Sequence, residues 1–115
     1  MSDEFLQYVL EQLAGLGRLR SQRMFGGVGL YCDDFFFGLI SAGALYFKVG
    51  ESNRADYESR GMGRFRPYPN RPERSMGYYE VPAEVLDDAE TLLAWARSSV
   101  AVAMASGRGR GDHLR

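Results

Sequence analysis

Residues 19–49 have the sequence LRSQRMFGGVGLYCDDFFFGLISAGALYFKV, and this stretch decides the fold class. From Ala44 to Val49 apolar residues alternate with Tyr46 and Lys48, a pattern typical of a strand with one buried face. Before this strand, turn-forming residues lie at Asp33-Asp34 and at residues 41–43. The glycines at 26, 27 and 29 predict a further tight turn or bulge. The stretch therefore predicts an antiparallel meander of four strands, over Arg20–Phe25, Val28–Cys32, Phe35–Ile40 and Ala44–Val49.

Helical patterns flank this meander on both sides. An amphipathic stripe predicts a first helix through Phe5, Leu6, Val9, Leu10 and Leu13. The remaining elements are a short helix from Asn53 to Arg60 with Asn53 as its cap, a strand over Tyr78–Val81, and a helix from about Asp88 to Ser106. We therefore expect a two-layer α+β domain over residues 1–106, with an antiparallel sheet of about five strands, helices on one face and the order α-β-β-β-β-α-β-α. Residues 107–115, GRGRGDHLR, have the composition of a disordered tail.

The composition limits the function classes. The chain has 115 residues, 45% of them hydrophobic, which fits one domain with its own core. It has one cysteine, no apolar run that approaches a membrane span, and no leader-like N-terminus, so we expect a cytoplasmic protein that does not bind membranes. The net charge is −1, which does not favour nucleic acid as the partner.

Catalytic residues are scarce in the sequence. The single histidine, His113, lies in the predicted tail, where no nucleophile–base pair can be preorganised. Cys32 lies on a predicted strand, and Lys48 alternates with apolar neighbours, so its ammonium is expected in solvent. The glycines at 26–29 lack the lysine and spacing of a phosphate-binding loop. We therefore expect no enzyme activity, no cofactor and no metal site.

Two segments are candidates for recognition. Residues 64–69, RFRPYP, interleave arginines with aromatic rings, a composition that stacks bases or binds an acidic partner. The alternative is a structural loop whose rings seal the sheet edge and whose arginines pair with the acids between Glu80 and Glu90. We predict that this loop and the turn at 24–29 form one partner-binding surface, with Arg23, Met24, Phe25, Gly26, Gly27, Gly29, Arg64, Phe65, Arg66, Tyr68, Arg71 and Arg74 as its candidates.

The ordered set of motifs resembles the N-terminal domain of the TfoX/Sxy family of bacterial competence regulators. The matching segments are RMFGGVGLY at 23–31, FFGLI at 36–40, LYFKV at 45–49 and YYEVP at 78–82, with shorter matches at 53–54, 61–62, 65–68 and 75–76. The resemblance covers about residues 3–104. It implies a two-layer α+β fold and a regulatory role without catalysis. Two-domain members of the family are thought to assist the cAMP-responsive catabolite activator at competence promoters, and their second, helical domain has no counterpart in this sequence.

These observations favour a protein-interaction module, an accessory or adaptor in transcriptional or competence regulation. The sequence does not identify its protein partner, for which the transcription machinery is one candidate. The alternative is direct nucleic-acid binding through the arginine-rich loop, with Arg64, Arg66, Arg71 and Arg74. A symmetric homodimer is also predicted, because a core of this size hides few aromatic side chains and the chain has many, including Tyr31, Tyr46, Tyr57, Tyr68, Tyr78 and Tyr79.

Overall fold

The computed structural model describes residues 3–24, 26–66 and 77–107. The helices are α1 (Asp3–Gln12), α2 (Arg54–Glu58), α3 (Ala83–Leu86) and α4 (Ala89–Gly107), with a 3-10 turn at Ala14–Leu16. The strands are β1 (Leu19–Met24), β2 (Gly27–Cys32), β3 (Phe35–Ser41), β4 (Ala44–Lys48) and β5 (Tyr78–Glu80). The predicted fold class and element order are confirmed, with α3 as a separate helical turn after Pro82.

The five strands form one antiparallel sheet in the order β1-β2-β3-β4-β5. Two hairpin turns set its register. Asp33 and Asp34 have φ values of 54° and 73°, and Ala42 and Gly43 have φ values of 52° and 76°. Two consecutive residues with positive φ define the tight turn whose twist matches that of the flanking strands. The polar and glycine residues at these sites therefore fix which residues pair across β2, β3 and β4.

One face of the sheet packs against the helices. Its core joins Val28, Ile40 and Phe47 of the strands to Leu13 of the first helical segment and Leu92 of α4. Phe37 also enters this core. It is the extra residue of a β-bulge, because Leu30 pairs with Gly38 while Tyr31 pairs with Phe36. Its ring is fully buried and lies 5.6 Å from the ring of Phe47, so the bulge adds an aromatic side chain to the core.

Several local predictions need correction. Gly27 and Gly29 do not interrupt pairing, because both lie in β2 with regular partners in β1. Asn53 precedes α2 but does not cap it with its side chain. Its Oδ1 accepts a hydrogen bond from the Gly50 amide (2.8 Å), and its Nδ2 donates to the Lys48 carbonyl (3.2 Å). Asn53 therefore ties the end of β4 to the loop that follows it.

The start of α4 also differs slightly from the prediction. The helix begins at Ala89, and Asp88 accepts a hydrogen bond from the Thr91 hydroxyl at 2.8 Å. No helix in the described ranges is long and apolar enough to cross a membrane.

Candidate partner-binding surface

The sheet has a second face, turned away from α4, which we call the second sheet face. Side chains alternate along a strand, so residues paired with each other across neighbouring strands lie on the same side. The pairs Gln22↔Gly29, Gly29↔Leu39, Leu39↔Tyr46 and Tyr46↔Glu80 therefore mark one row across this face. Its apolar, aromatic and basic members, with Phe65 added from the loop, are Arg20, Met24, Tyr31, Phe36, Leu39, Tyr46, Lys48, Phe65 and Tyr78.

A line of aromatic rings with a cation at each end crosses this face. The ring centroids of Tyr31 and Phe36 are 5.1 Å apart, and those of Phe36 and Tyr78 are 5.5 Å apart. The Arg20 guanidinium lies 4.3 Å from the Tyr31 ring centre, and the Lys48 ammonium lies 5.1 Å from that of Tyr78. Both distances fall within cation–π range. The line therefore presents three successive aromatic rings between two cations along one direction of the sheet.

Each of the two predicted recognition segments contributes a residue to this face, Met24 from one and Phe65 from the other. A Cβ on Gly29 would lie 2.9 Å from Met24 Cε and 3.0 Å from Phe36 Cε1, so the missing side chain of Gly29 makes room for both. On the other side, the Phe65 ring lies 4.9 Å from the ring of Tyr46. Gly29 and Tyr46 are two strands apart in one row, a separation of about 10 Å at the usual strand spacing. Met24 and Phe65 therefore belong to one surface.

Burial on the second sheet face is uneven. Leu39 and Tyr78 are only 8% and 4% exposed, whereas Tyr31, Phe36, Tyr46 and Phe65 are half-buried. Burial, helped by the nearby Tyr31, raises the pKa of Tyr78. Burial also lowers the pKa of Lys48, whose ammonium lies against Tyr78 and not, as predicted, free in solvent. The face thus has a closed centre and accessible aromatic edges.

Arg64 lies on the opposite side, where it supports the fold. Its backbone bridges Tyr79 of β5, its Nε donates a hydrogen bond to the Tyr79 hydroxyl at 3.4 Å, and that hydroxyl donates to Glu58 Oε2 at 3.1 Å. Arg66 is exposed. Glu84, one of the acids after Glu80, pairs instead with Arg60, which precedes the predicted loop: the Arg60 Nε lies 3.6 Å from Glu84 Oε2.

The twelve candidates thus separate into groups. Met24, Gly29 and Phe65 lie on the second sheet face, Arg23 lies on β1, and Gly26 and Gly27 form the connection into β2. Phe25, Tyr68, Arg71 and Arg74 lie outside the described residues. Sequence reasoning missed several side chains of this face: Arg20, Tyr31, Phe36, Tyr46, Lys48 and Tyr78. Alternation against the buried residues of β2 and β4 identifies Tyr31, Tyr46 and Lys48, whereas the β-bulge in β3 breaks the alternation that would have placed Phe36.

Three other features of the described residues are candidates for a site: a cavity between α2 and α4, the buried Tyr57 hydroxyl and the Cys32 thiol. A cavity of about 240 Å³ between α2 and α4 is lined by Asn53, Asp56, Tyr57, Ala94, Trp95 and Ser98. The Tyr57 hydroxyl is buried without a hydrogen-bond partner among the described residues, and burial raises its pKa. The Cys32 thiol donates to the Gly17 carbonyl at 3.6 Å, and burial followed by the charge of Asp33 raises its pKa, which disfavours the reactive thiolate. The described residues contain no cluster of side chains with metal-ligand character.

The fold and this surface define a small α+β domain whose sheet has one face in the core and one face lined by aromatic and basic side chains. The family model for the TfoX N-terminal domain matches residues 11–103, and the chain belongs to this family, as its motifs predicted. Among curated proteins it is similar to "DNA transformation protein TfoX1" of Aliivibrio fischeri (strain ATCC 700601 / ES114), with 32% identity over 81 residues. That alignment covers 70% of this chain and 37% of the relative, so the chain spans little more than a third of that protein's length.

Proposed function

We propose that this chain is a non-catalytic protein-binding module of a bacterial regulatory system for DNA uptake, and that the second sheet face is its binding surface. The observation that carries the proposal is the line of rings, with Tyr31 and Phe36 half-buried and Tyr78 buried, flanked by Arg20 and Lys48 on a face that no described helix covers. The link to DNA uptake comes from the relative named as a DNA transformation protein. Family membership supports a regulatory role.

Aromatic, methionine and arginine side chains are the residues most enriched at protein interfaces, and this face contains all three kinds. Tyrosine and phenylalanine contribute large contact areas at a small cost in conformational entropy. The rings are also held in place by their mutual contacts, Phe65 on Tyr46 and Phe36 between Tyr31 and Tyr78. A partner therefore meets a preorganised surface, which lowers the entropic cost of binding.

The test is affinity capture from the native bacterium, followed by mass spectrometry, with surface variants. The double variant Tyr31→Ser, Phe65→Ser removes two accessible rings and leaves the buried Leu39 and Tyr78 in place. Met104→Ser is the matched control, because Met104 is a large apolar side chain on α4 with 52% exposure. We expect the double variant to capture at least tenfold less of the specific partner than the parent protein, whereas Met104→Ser should capture as much as the parent. Equal capture by both variants, with both folded, contradicts the proposal.

The regulatory part is tested separately in cells. Deletion of the chain's gene should change the frequency of transformation by added DNA, and the Met104→Ser variant should restore it while the double variant does not. An unchanged frequency on deletion contradicts the link to DNA uptake and leaves partner binding to be judged by the capture experiment.

Direct nucleic-acid binding is the second candidate, and one observation favours it. Aromatic rings flanked by cations on a sheet face resemble the platforms on which single-stranded nucleic acid stacks. The net charge of −1 and the acids Asp34 and Glu80 at the margins of the face argue against it. Binding of a labelled oligonucleotide that weakens steeply as salt rises would support this candidate, and no binding at 50 mM salt or below, roughly the condition most favourable to it, would exclude it.

Homodimer formation stays a prediction that the same surface can explain. Light scattering at micromolar concentrations measures it directly. A dimer that dissociates in the Tyr31→Ser, Phe65→Ser variant would identify a second copy of the chain as an occupant of the second sheet face, and a monomer in the parent protein would contradict the prediction.

A further inference from the structure

One edge strand of the sheet, β5, is covered by a neighbouring segment, whereas the other edge strand, β1, is not covered by any described segment. Next to β5, the Phe65 amide donates to the Tyr78 carbonyl at 2.7 Å and the Glu80 amide donates to the Gly63 carbonyl at 3.0 Å. Residues 63–65 therefore cover the outer edge of β5. At the other end of the sheet, β1 pairs with β2 alone within the described residues. β1 is thus the edge at which the ladder of backbone hydrogen bonds stops.

The register identifies the backbone groups that point outward from β1. The Asp33 amide donates to the Arg18 carbonyl at 3.2 Å, one step beyond the Leu19↔Cys32 pair. Hydrogen-bonded and non-hydrogen-bonded pairs alternate along an antiparallel ladder. Arg18, with the even-numbered residues of β1, is therefore directed toward β2. The amides and carbonyls of Leu19, Ser21 and Arg23 consequently face outward.

Among the described residues, this edge lacks most of the features that usually prevent strand addition. Native edges are blunted by proline, by bulges, by short length, by a covering segment or by charged side chains, and of these β1 has only the charged side chains. β1 is six residues long, has no proline, and pairs with β2 through six successive residues without a register shift. Its four central residues, 20–23, are exposed. The strand therefore offers three outward amide donors and three outward carbonyl acceptors, spaced two residues apart as an incoming strand requires.

Charge indicates which kind of strand fits. β1 carries Arg20 and Arg23 and no acidic residue, and Arg18 directly precedes it. Arg18 lies 3.0 Å from Asp33, and Arg20 lies 3.6 Å from Asp34. Both ion pairs are exposed to solvent and therefore compete only weakly with the carboxylates of a partner. Pairing with a second copy of β1 would bring four arginines into one two-stranded patch, and like charges on neighbouring strands are destabilising. Acidic residues on an incoming strand would instead pair with them. The arginines thus disfavour self-pairing and favour an acidic partner.

We propose that the outer edge of β1 binds an extended acidic segment of a partner protein, which adds to the sheet as a sixth strand. Backbone hydrogen bonds at Leu19, Ser21 and Arg23 supply the affinity, and Arg20 and Arg23 select for acidic side chains. The inference rests on the proposed function and names the form of the partner. An added strand would place its alternate side chains beside Arg20 and Met24, continuous with the second sheet face.

The probe is an eight-residue peptide, acetylated and amidated, in which glutamate alternates with threonine and valine. It is titrated into the full-length 15N-labelled protein and followed by amide chemical shifts. We expect the largest shifts at the Leu19, Ser21 and Arg23 amides, with little change in β4. A peptide of the same pattern with lysine in place of glutamate should bind at least tenfold more weakly. Equal binding of both peptides, or shifts confined to other elements, overturns the inference.

Two kinds of variant separate the backbone contribution from the charge. Ser21→Pro removes the outward amide, and proline is tolerated on an edge strand when its nitrogen faces solvent. Ser21→Thr keeps the amide and is the matched control. We expect at least a tenfold loss of peptide binding for the proline variant and none for the threonine variant. The double variant Arg20→Gln, Arg23→Gln should bind the acidic peptide at least tenfold more weakly and no longer distinguish it from the lysine peptide.

The same variants distinguish this inference from the proposed function. If the native partner is lost with Tyr31→Ser, Phe65→Ser but retained by Ser21→Pro, the second sheet face binds the partner and the inference about β1 is wrong. If Ser21→Pro also loses the partner, the inference stands. Should Ser21→Pro fail to fold, as judged by its amide spectrum, the charge double variant and the lysine peptide decide the question alone.

Discussion

Replacing Gly27 by alanine tests whether the close approach of β2 and β3 depends on a missing side chain. A Cβ built on Gly27 would overlap the Ile40 carbonyl oxygen and lie 3.4 Å from the Ile40 carbonyl carbon and 3.6 Å from Ser41 Cα. All three neighbours are backbone atoms of an adjacent strand, so no side-chain rotation relieves the overlap. The strands must move apart, next to the fully buried Val28 and Ile40.

The cost follows from that geometry. Overpacking in a well-packed interior destabilises by roughly 1–3 kcal/mol, and the upper end applies when backbone must move, so we expect about 3 kcal/mol. For a domain of this size that loss lowers Tm by about 10–15 °C. Thermal unfolding followed by circular dichroism measures it. Gly63→Ala is the matched control, because a Cβ there meets nothing within 4 Å, and we expect Tm to change by at most about 2 °C. If Gly27→Ala unfolds within 2–3 °C of the parent, roughly the range of a harmless surface change, the close approach does not constrain the fold.

Four further predictions concern polar side chains and their environments. Tyr57→Phe removes a buried hydroxyl that has no partner among the described residues, so the free energy of unfolding should stay equal or rise, whereas Tyr79→Phe breaks the contacts to Arg64 and Glu58 and should cost about 1 kcal/mol in urea unfolding. Asn53→Ala leaves the Gly50 amide without its side-chain partner, while the Lys48 carbonyl keeps the hydrogen bond donated by the Ser99 hydroxyl at 2.7 Å, so the loss should be about 1–2 kcal/mol; a loss below about 0.5 kcal/mol would contradict the role assigned to Asn53. Because burial raises the pKa of Cys32 above its ordinary 9.0, its alkylation rate with iodoacetamide should still be rising at pH 9, and a plateau below that pH would refute the assigned environment.

Local turn chemistry explains why much of the fold was predictable. Asp33, Asp34 and Gly43 are residue types that accept positive φ, and each turn lies between two apolar runs, so both hairpins follow from the sequence, although Ala42 adopts positive φ without that preference. Strand alternation from Ala44 gave the buried face, and helix periodicity gave α1 and α4. The predicted boundaries differ by one or two residues, because element ends depend on pairing partners that a local pattern does not contain.

The features that the sequence did not reveal depend on contacts between distant residues. Phe37 lies in the run FFF at 35–37, and only the shift from Leu30↔Gly38 to Tyr31↔Phe36 directs it into the core. Arg64 looked like a recognition residue beside Phe65, but the pairing of residues 63–65 with β5 turns it toward Tyr79. Asparagine is a common helix-capping residue, yet the side chain of Asn53 accepts a hydrogen bond from the Gly50 amide and does not cap α2. In each case the residue type suggested a role, but the contact that the side chain makes depends on residues that a local sequence pattern does not include.

The alternation of strand residues also explains how one small sheet can combine stability with binding. Residues such as Val28 and Phe47 face the helices, so their substitution changes the free energy of unfolding. Their neighbours on the second sheet face contact one another and, as proposed, the partner. The glycine at 29 links the two requirements, because it has regular partners on both sides in the ladder and yet leaves room for Met24. An alanine at this position would press on the end of a flexible methionine side chain, so we expect it to alter the binding surface more than the stability, in contrast to alanine at Gly27, where the obstacle is backbone.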